Sequence, residues 1–217
     1  MSALTLYDYW RSSAAYRVRI GLALKGVGHA VLPVNIAPGR DEQFAPAYRA
    51  KNPQARVPAL ESEAGVLGQS LAILEWLEEA HPAPSFLPGD AWMRGQIRAF
   101  ALTIACDIHP LNNLSTLARL RTQFDADEAA IAAWYVHWIG AGFAALEAQA
   151  RARPEALFAF GERPTLADIC LVPQCANARR YDMDMTPYPR LAAIDARART
   201  HPAFVAAAPE SQQRPGG

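Results

Sequence analysis

As far as His81 and Pro82 the chain mixes short alternating apolar runs with helical spacings, and beyond them the spacing is helical almost throughout. Leu4 to Trp10 reads as a strand. Ser12 and Ser13 then stand where a helix begins, and Ala15, Val18 and Leu22 form its apolar stripe, which ends near Lys25 and Gly26. His29 to Ile36 gives a second strand, Glu42 to Ala50 a helix or an irregular turn, Arg56 to Leu60 a third strand, and Val66 to Gln69 a fourth. Ser70 is placed to cap the next helix, whose Leu71, Leu74 and Leu77 share one face before His81 and Pro82 end it.

The order βαβ, α, ββ, α predicts a small mixed sheet with helices packed on it, a thioredoxin-like α/β unit over residues 1–82. Pro58 falls inside the third run. Proline has no N–H for a central ladder, so it belongs at the start or edge of its strand, where a cis peptide leaves neighbouring backbone groups open to a peptide-like ligand. The breaker-rich stretch 83–89 reads as a linker, and 90–217 as an all-helical second domain. Within it Asp90 to Leu120 is a helical tract bent near Pro110, and Asp127 to Ala152 carries a broad stripe of Ile131, Trp134, Tyr135, Trp138, Phe143 and Leu146, read as core. Thr165-Leu166-Ala167-Asp168 forms a variant capping box, which makes Asp168 structural. From Pro209 to Gly217 little is apolar, so this tail is expected to fray, and no internal repeat is visible.

With 51% hydrophobic and 19% charged residues among 217, the chain has the composition of a globular protein, not of a disordered or fibrous one. Its 21 basic side chains are balanced by 21 acidic ones, so there is no field to hold a phosphate backbone and nucleic acid is excluded as a partner. Cys106, Cys170 and Cys175 lack the pairing or spacing of a disulfide framework or a zinc site and read as buried core residues; no metal is expected. No opening leader and no run of membrane-spanning length are evident, which makes the cytoplasm the expected compartment, without a membrane partner.

The chemistry concentrates at the first strand-to-helix junction, Tyr9-Trp10-Arg11-Ser12-Ser13. Two hydroxyls meet unpaired backbone N–H groups and the positive end of a helix there, which favours an anion or a thiolate. Plain helix capping by Ser12 and Ser13 accounts for the same spacing. His109, before Pro110, either satisfies a carbonyl or faces a ligand, and Arg179 and Arg180 either cap a helix or offer one cation to a pocket. Arg17 and Arg19 read as ion-pairing or subunit-contact residues.

These motifs, in order, resemble the zeta class of the glutathione transferase family. The likeness starts in Ser12-Ser13 and Arg17-Val18-Arg19-Ile20 and continues through Ala50-Lys51-Asn52-Pro53, Val57-Pro58-Ala59-Leu60 and Gln69-Ser70-Leu71-Ala72-Ile73. It runs on through Asp107-Ile108-His109-Pro110-Leu111-Asn112-Asn113-Leu114, Leu171-Val172-Pro173-Gln174, Asn177-Ala178-Arg179-Arg180-Tyr181 and Thr186-Pro187-Tyr188-Pro189. The resemblance implies a thioredoxin-like domain that holds glutathione, an all-helical domain that completes the substrate pocket, and a homodimer.

It further implies cis–trans isomerisation of maleylacetoacetate, a dicarboxylate keto acid of aromatic amino acid breakdown, with maleylpyruvate as the alternative substrate. Carried over by position, Ser12 lies beside the glutathione sulfur with Ser13 next to it, and Gln43, Val57, Pro58, Gln69 and Ser70 contact glutathione. His109, Asn113, Leu114 and Ser115 reach over the site, and Arg11 and Arg180 hold the acidic substrate. Ala14 departs from the pattern, which has cysteine there, so no protein thiol accompanies the serines.

The chemistry is coherent. An enone between carboxylates isomerises when a thiolate adds, the temporary single bond rotates, and the thiolate leaves. A free thiol, pKa about 8.5, becomes mainly thiolate at neutral pH once its pKa falls by about two units, about 2.7 kcal/mol. Ser12, Arg11 and the helix end are the candidates to lower it, and Arg180 and His109 are the candidates to stabilise charge on the keto oxygen. General transfer of glutathione to apolar electrophiles, and a non-catalytic scaffold that keeps the fold, are the competing readings.

Overall fold

A computed structural model describes residues 4–212. The chain divides into two compact units, Met1–Ser85 with His201–Gly217, and Phe86–Thr200. The first is a four-stranded sheet in the order β2-β1-β3-β4, built from β1 (Leu4–Asp8), β2 (His29–Pro33), β3 (Ala59–Ser62) and β4 (Gly65–Gly68). β1 runs parallel to β2 and antiparallel to β3, and β3 is antiparallel to β4. α1 (Ser13–Lys25) and α3 (Ser70–Ala80) pack together, with Leu22, Ile73, Leu74 and Leu77 fully buried. A 3₁₀ turn at Glu42–Phe44 and α2 (Pro46–Lys51) fill the stretch read as a helix or irregular turn. This is the mixed α/β layer that the periodicities predicted, with strands shorter than expected: β1 ends at Asp8, not Trp10, and β3 begins only after Pro58.

Two buried arginines on α1 tie the unit together. Arg19 pairs with Asp8 at 2.6 Å and also donates to the carbonyls of Trp10 and Ala207. Burial raises the Asp8 carboxyl pKa, and the guanidinium beside it opposes that shift. Arg17 donates to Ser70 Oγ at 3.4 Å.

The carbonyl of Ala207 belongs to residues read as part of the helical second domain, just before the tail, Pro209 to Gly217, that is expected to fray. α9 (Pro202–Ala207) instead packs against α1, with Phe204 buried and its carbonyl 3.4 Å from the Tyr16 hydroxyl. Pro209–Ser211 forms a 3₁₀ turn, and Ser211 Oγ and Gln212 Nε2 donate to the carbonyls of Val205 and Ala206. The start of the tail, through Gln212, is thus held by bonds back to α9, and α9 by its packing on α1. This end therefore belongs to the first unit, not to a helical domain running from 90 to 217; residues 213–217 of the expected tail lie outside the described residues.

The second unit contains α4 (Ala91–Leu102), α5 (Leu114–Phe124), α6 (Glu128–Arg151), α7 (Leu166–Arg180) and α8 (Pro189–Ala198). The tract expected to bend at Pro110 leaves α-geometry earlier, in a π-helical segment at Thr103–Ile108. α6 is 24 residues long and apolar enough by length and composition to cross a membrane, contrary to the expectation that no run approaches that length. It packs against α5, α7, α8 and the π-helical segment. Its buried face runs Ile131, Tyr135, Ile139, Phe143 and Leu146, while Trp134 and Trp138 of the expected core stripe are only half-buried. Glu147 on α6 accepts from the N–H groups of Arg190 and Leu191 at 3.1 and 3.0 Å, satisfying the first turn of α8.

Gly142 marks the close approach of α6 to the π-helical segment: a Cβ there would lie 2.3 Å from Ile108 Cδ1 and 2.5 Å from its Cγ1. Ile108 is fully buried and β-branched, so it has little room to yield. Gly142→Ala is therefore expected to destabilise the protein by about 1 kcal/mol in urea titration, overpacking outweighing the gain in helix propensity.

Of the cysteines, Cys170 and Cys175 are buried as expected, but Cys106 is exposed, on the π-helical segment. Thr165 and Asp168 form the capping box that opens α7. Among the described residues no cluster of His, Cys, Asp and Glu is fit to hold a metal.

Candidate active site

β1 delivers the chain to Trp10 and Arg11, and Ser12 begins α1 as its N-cap. The two readings of Ser12 are compatible. Its Oγ accepts from Ala15 N at 3.2 Å, and an oxygen that accepts a helix N–H keeps its own proton to donate elsewhere. Ser13 is the first helical residue and half-buried, so its N–H belongs to the positive end of α1. Arg11 is exposed, its guanidinium carbon 5.5 Å from the Trp10 ring centroid, and among the described residues no carboxylate pairs with it.

Gln43 sits in the 3₁₀ turn, buried, with Nε2 donating to Asp41 at 3.3 Å and Oε1 without a hydrogen-bond partner. An orphaned acceptor in a largely dry setting is costly unless a ligand N–H meets it. Val57 and Pro58 are buried and joined by a cis peptide. The β1–β3 ladder begins at Ala59 opposite Tyr7, which leaves the Val57 backbone outside the ladder. The turn that presents it is fixed by two donors on one carbonyl, Tyr48 Oη and Asn52 Nδ2, at 2.6 and 2.8 Å from Arg56 O.

Gln69 adopts φ 65°, the left-handed region, which costs a non-glycine residue on the order of 1–3 kcal/mol and gathers at ligand sites. Its carbonyl receives Ile73 N at 3.0 Å and its amide donates to Gln54 Oε1 at 2.9 Å. Gln69, not Ser70, occupies the N-cap position of α3, and it makes no side-chain cap bond. Ser70 is instead the first helical residue, and its hydroxyl accepts from Arg17. Two residues beside an uncapped helix start suit a carboxylate.

In the second unit His109 follows the π-helical segment, half-buried, and its N–H donates to Ile104 O at 2.9 Å. Asn113 is the N-cap of α5, where its Oδ1 accepts from both the N–H and the hydroxyl of Ser115 at 3.1 and 3.0 Å. Leu114 and Ser115 are exposed on the first turn of α5.

The paired arginines at the end of α7 separate cleanly. Arg179 is bound to Asp195, whereas Arg180 has no carboxylate partner among the described residues and lies over the Tyr181 ring, 5.2 Å from its centroid. Sequence reasoning missed four residues that support these positions: Gln54 beneath Gln69, Tyr48 and Asn52 beneath Val57, and Arg17 beside Ser70. Asn52 and Arg17 lay within recognisable motifs but without this role; Gln54 and Tyr48 carry no periodic signal and become visible only as hydrogen-bond partners.

A family model of the glutathione S-transferase N-terminal domain matches residues 6–85, and one of the C-terminal domain matches residues 116–194. A maleylpyruvate isomerase of Ralstonia sp is 50% identical over 96% of this chain and 98% of its own length. The solved holo structure of a maleyl pyruvate isomerase, described as a bacterial glutathione S-transferase in the zeta class, superposes with TM-score 0.93 at 50% identity, over 96% of this chain and 98% of that one. The maleylacetoacetate isomerase of Anaeromyxobacter dehalogenans 2CP-1, solved with glutathione in its active site, has TM-score 0.86 and 43% identity over 98% of each chain. The chain belongs to the glutathione transferase family, within the zeta class that includes isomerases of this kind.

Proposed function

We propose that the chain catalyses the glutathione-dependent cis–trans isomerisation of a maleyl keto acid, with maleylacetoacetate as substrate and fumarylacetoacetate as product. The observation that carries the reading is Ser12 at the N-terminus of α1, its oxygen occupied by Ala15 N and its proton free to donate. The orphaned Gln43 Oε1 and the uncapped start of α3 supply the complementary groups that a γ-glutamyl peptide needs.

Bound glutathione supplies a thiolate, a nucleophile that adds to an activated double bond and leaves again once the bond has rotated. Ser12 donates a hydrogen bond to that sulfur, and the α1 dipole favours its charged form. Gln69 and Ser70 take the γ-glutamyl carboxylate at the α3 N-terminus, and Gln43 and the Val57 backbone, beside Pro58, hold the peptide groups. Asn113, Leu114 and Ser115 of the second unit are assigned further contacts with glutathione. Arg11 and Arg180 hold the carboxylates of the substrate, and His109 stabilises charge that develops on its keto oxygen. A homodimer is the expected assembly, to be read by light scattering.

Maleylpyruvate is the second reading, favoured by the 50% identity to the Ralstonia enzyme. Against it, α5 opens on Leu114 and Ser115 with no basic residue in its first turn, so no additional cation is offered there to a shorter diacid. Parallel steady-state assays on the two acids, with and without glutathione, decide it. Glutathione-dependent loss of maleylacetoacetate at the higher kcat/KM supports the first reading, a preference for maleylpyruvate replaces it, and turnover of neither discards both. Arg180→Ala is expected to raise KM for the preferred acid about 30-fold by removing a charge-assisted contact, with glutathione affinity unchanged in calorimetry.

A further inference from the structure

Three arginines stand near the C-terminal ends of α5 and α7 in the second unit, and two are already neutralised. Arg121 on α5 holds both carboxylate oxygens of Glu128, at 2.7 and 2.9 Å, and Arg179 is bound to Asp195. The Arg121 guanidinium lies close enough to Tyr181 for the two to interact electrostatically. Arg180 is left to the aromatic surface. Its guanidinium carbon is 5.2 Å from the Tyr181 centroid and 5.8 Å from that of Tyr135. The two rings are stacked, centroids 3.9 Å apart and planes 16° apart.

The lower ring is anchored. Tyr135 is 2% exposed, and its backbone carbonyl accepts from Asn112 Nδ2 at 3.1 Å. Burial pushes its phenol up to about 12, so it stays neutral at any working pH. The upper ring is fixed by its backbone: Tyr181 closes α7, and its N–H donates to Ala178 O at 3.1 Å. A guanidinium over an aromatic surface keeps its in-plane N–H donors for a carboxylate, and a neutral support does not compete with that carboxylate for the cation.

We infer that Tyr181, stacked on Tyr135, is a positioning residue: it holds Arg180 as a carboxylate-binding cation, and so sets the affinity of the site for its dicarboxylate. The inference rests on the isomerase reading for the identity of the dicarboxylate, not for the geometry. An arginine without this support samples many side-chain rotamers and loses entropy when a ligand arrives.

The test uses the full chain with Tyr181→Leu, Tyr181→Phe, Arg180→Ala and the Arg180→Ala/Tyr181→Leu double variant. Tyr181→Leu is expected to raise KM for the maleyl acid about fivefold to tenfold, within the range of a cation–π contact, with kcat and glutathione affinity little changed. Tyr181→Phe, which keeps the ring, restores KM. The double variant is expected to be no weaker than Arg180→Ala alone, because the ring acts through the arginine. A purely structural role would lower the active fraction, and hence kcat, without moving KM. Malonate binding, followed by calorimetry with glutathione present, gives a readout independent of turnover: Tyr181→Leu weakens it and Tyr181→Phe does not. Unchanged KM and malonate affinity in Tyr181→Leu, or a double variant weaker than Arg180→Ala by the full Tyr181 factor, overturns the inference. A wild type that binds malonate but turns over neither maleyl acid overturns the isomerase reading and leaves the positioning role to the malonate comparison.

Discussion

Ser12→Ala is expected to lower kcat/KM for the maleyl acid by about 10²- to 10³-fold while leaving the fold intact. The size is that of removing one positioned donor to a charge that must persist through the reaction. The hydroxyl caps α1 through Ala15 N as well, so some stability goes with it, about 1 kcal/mol. That cap loss is far too small to account for the fall in rate, and comparing melting temperature with activity separates the two.

The pH dependence identifies the cause. If Ser12 holds the thiol of bound glutathione ionised, its loss returns the thiol towards its free pKa of about 8.5, and the activity of the variant should climb between about pH 7 and 9 where the wild type is already level. Ultraviolet absorbance of the thiolate, titrated in both proteins, reads the same shift directly. A variant with a wild-type thiol titration and wild-type rate would remove Ser12 from the mechanism.

Asp168→Ala carries the largest expected loss of stability, about 4 kcal/mol. The carboxylate is completely buried and accepts three hydrogen bonds: from Thr165 N at 2.8 Å, Thr165 Oγ1 at 2.9 Å and Ala159 N at 2.8 Å. Alanine leaves each of those buried donors without an acceptor, at about 1–3 kcal/mol apiece before relaxation. Burial raises the Asp168 pKa to about 6, even though the three donors pull it down.

The folded pKa therefore stands above the unfolded value near 3.8. The folded state holds its proton to higher pH, so the stability this group contributes is complete below about pH 3.8 and is lost as pH rises through about 6. Asp168→Asn keeps the shape and one acceptor but cannot ionise. Urea titrations of wild type and Asp168→Asn from pH 4 to 7 should show the wild type losing stability relative to the variant over that interval. Parallel curves would mean that Asp168 does not titrate there.

The elements most legible in the sequence were those whose signal is local. The Ser12 cap and the Ala15-Val18-Leu22 stripe predict α1 because both act within a few residues, and Thr165 with Asp168 predicts the start of α7 for the same reason. Ser70 was misassigned as a cap since its residue type favours that role; the left-handed backbone at Gln69 and the bond from Arg17 shift it one position into the helix.

The π-helical segment had no such signal. It packs against α6, and its trace in the sequence is Gly142, which reads as an ordinary helix glycine until Ile108 is found against it. At the site, the resemblance picked out residues that would touch a ligand. It passed over those that touch the first set: Gln54 under Gln69, Asn52 and Tyr48 under Val57, and the Tyr135–Tyr181 stack under Arg180. Gln54 and Gln69, and Tyr135 and Tyr181, lie far apart along the chain, and Tyr48 and Asn52 support Val57 only through the Arg56 carbonyl, so the fold is needed to bring them together.

The return of α9 to α1 also sets an order of events during synthesis. Phe204 fills part of the first unit, and Arg19, paired with Asp8, finds one of its acceptors at Ala207. Neither group exists when the sheet of that unit leaves the ribosome. The whole of Phe86–Thr200 must be translated first, on the order of ten seconds at ordinary elongation rates. Through that interval the nascent unit carries an apolar gap on α1 and a half-satisfied guanidinium, a surface suited to a chaperone, and the emergence of α9 is the step that closes it.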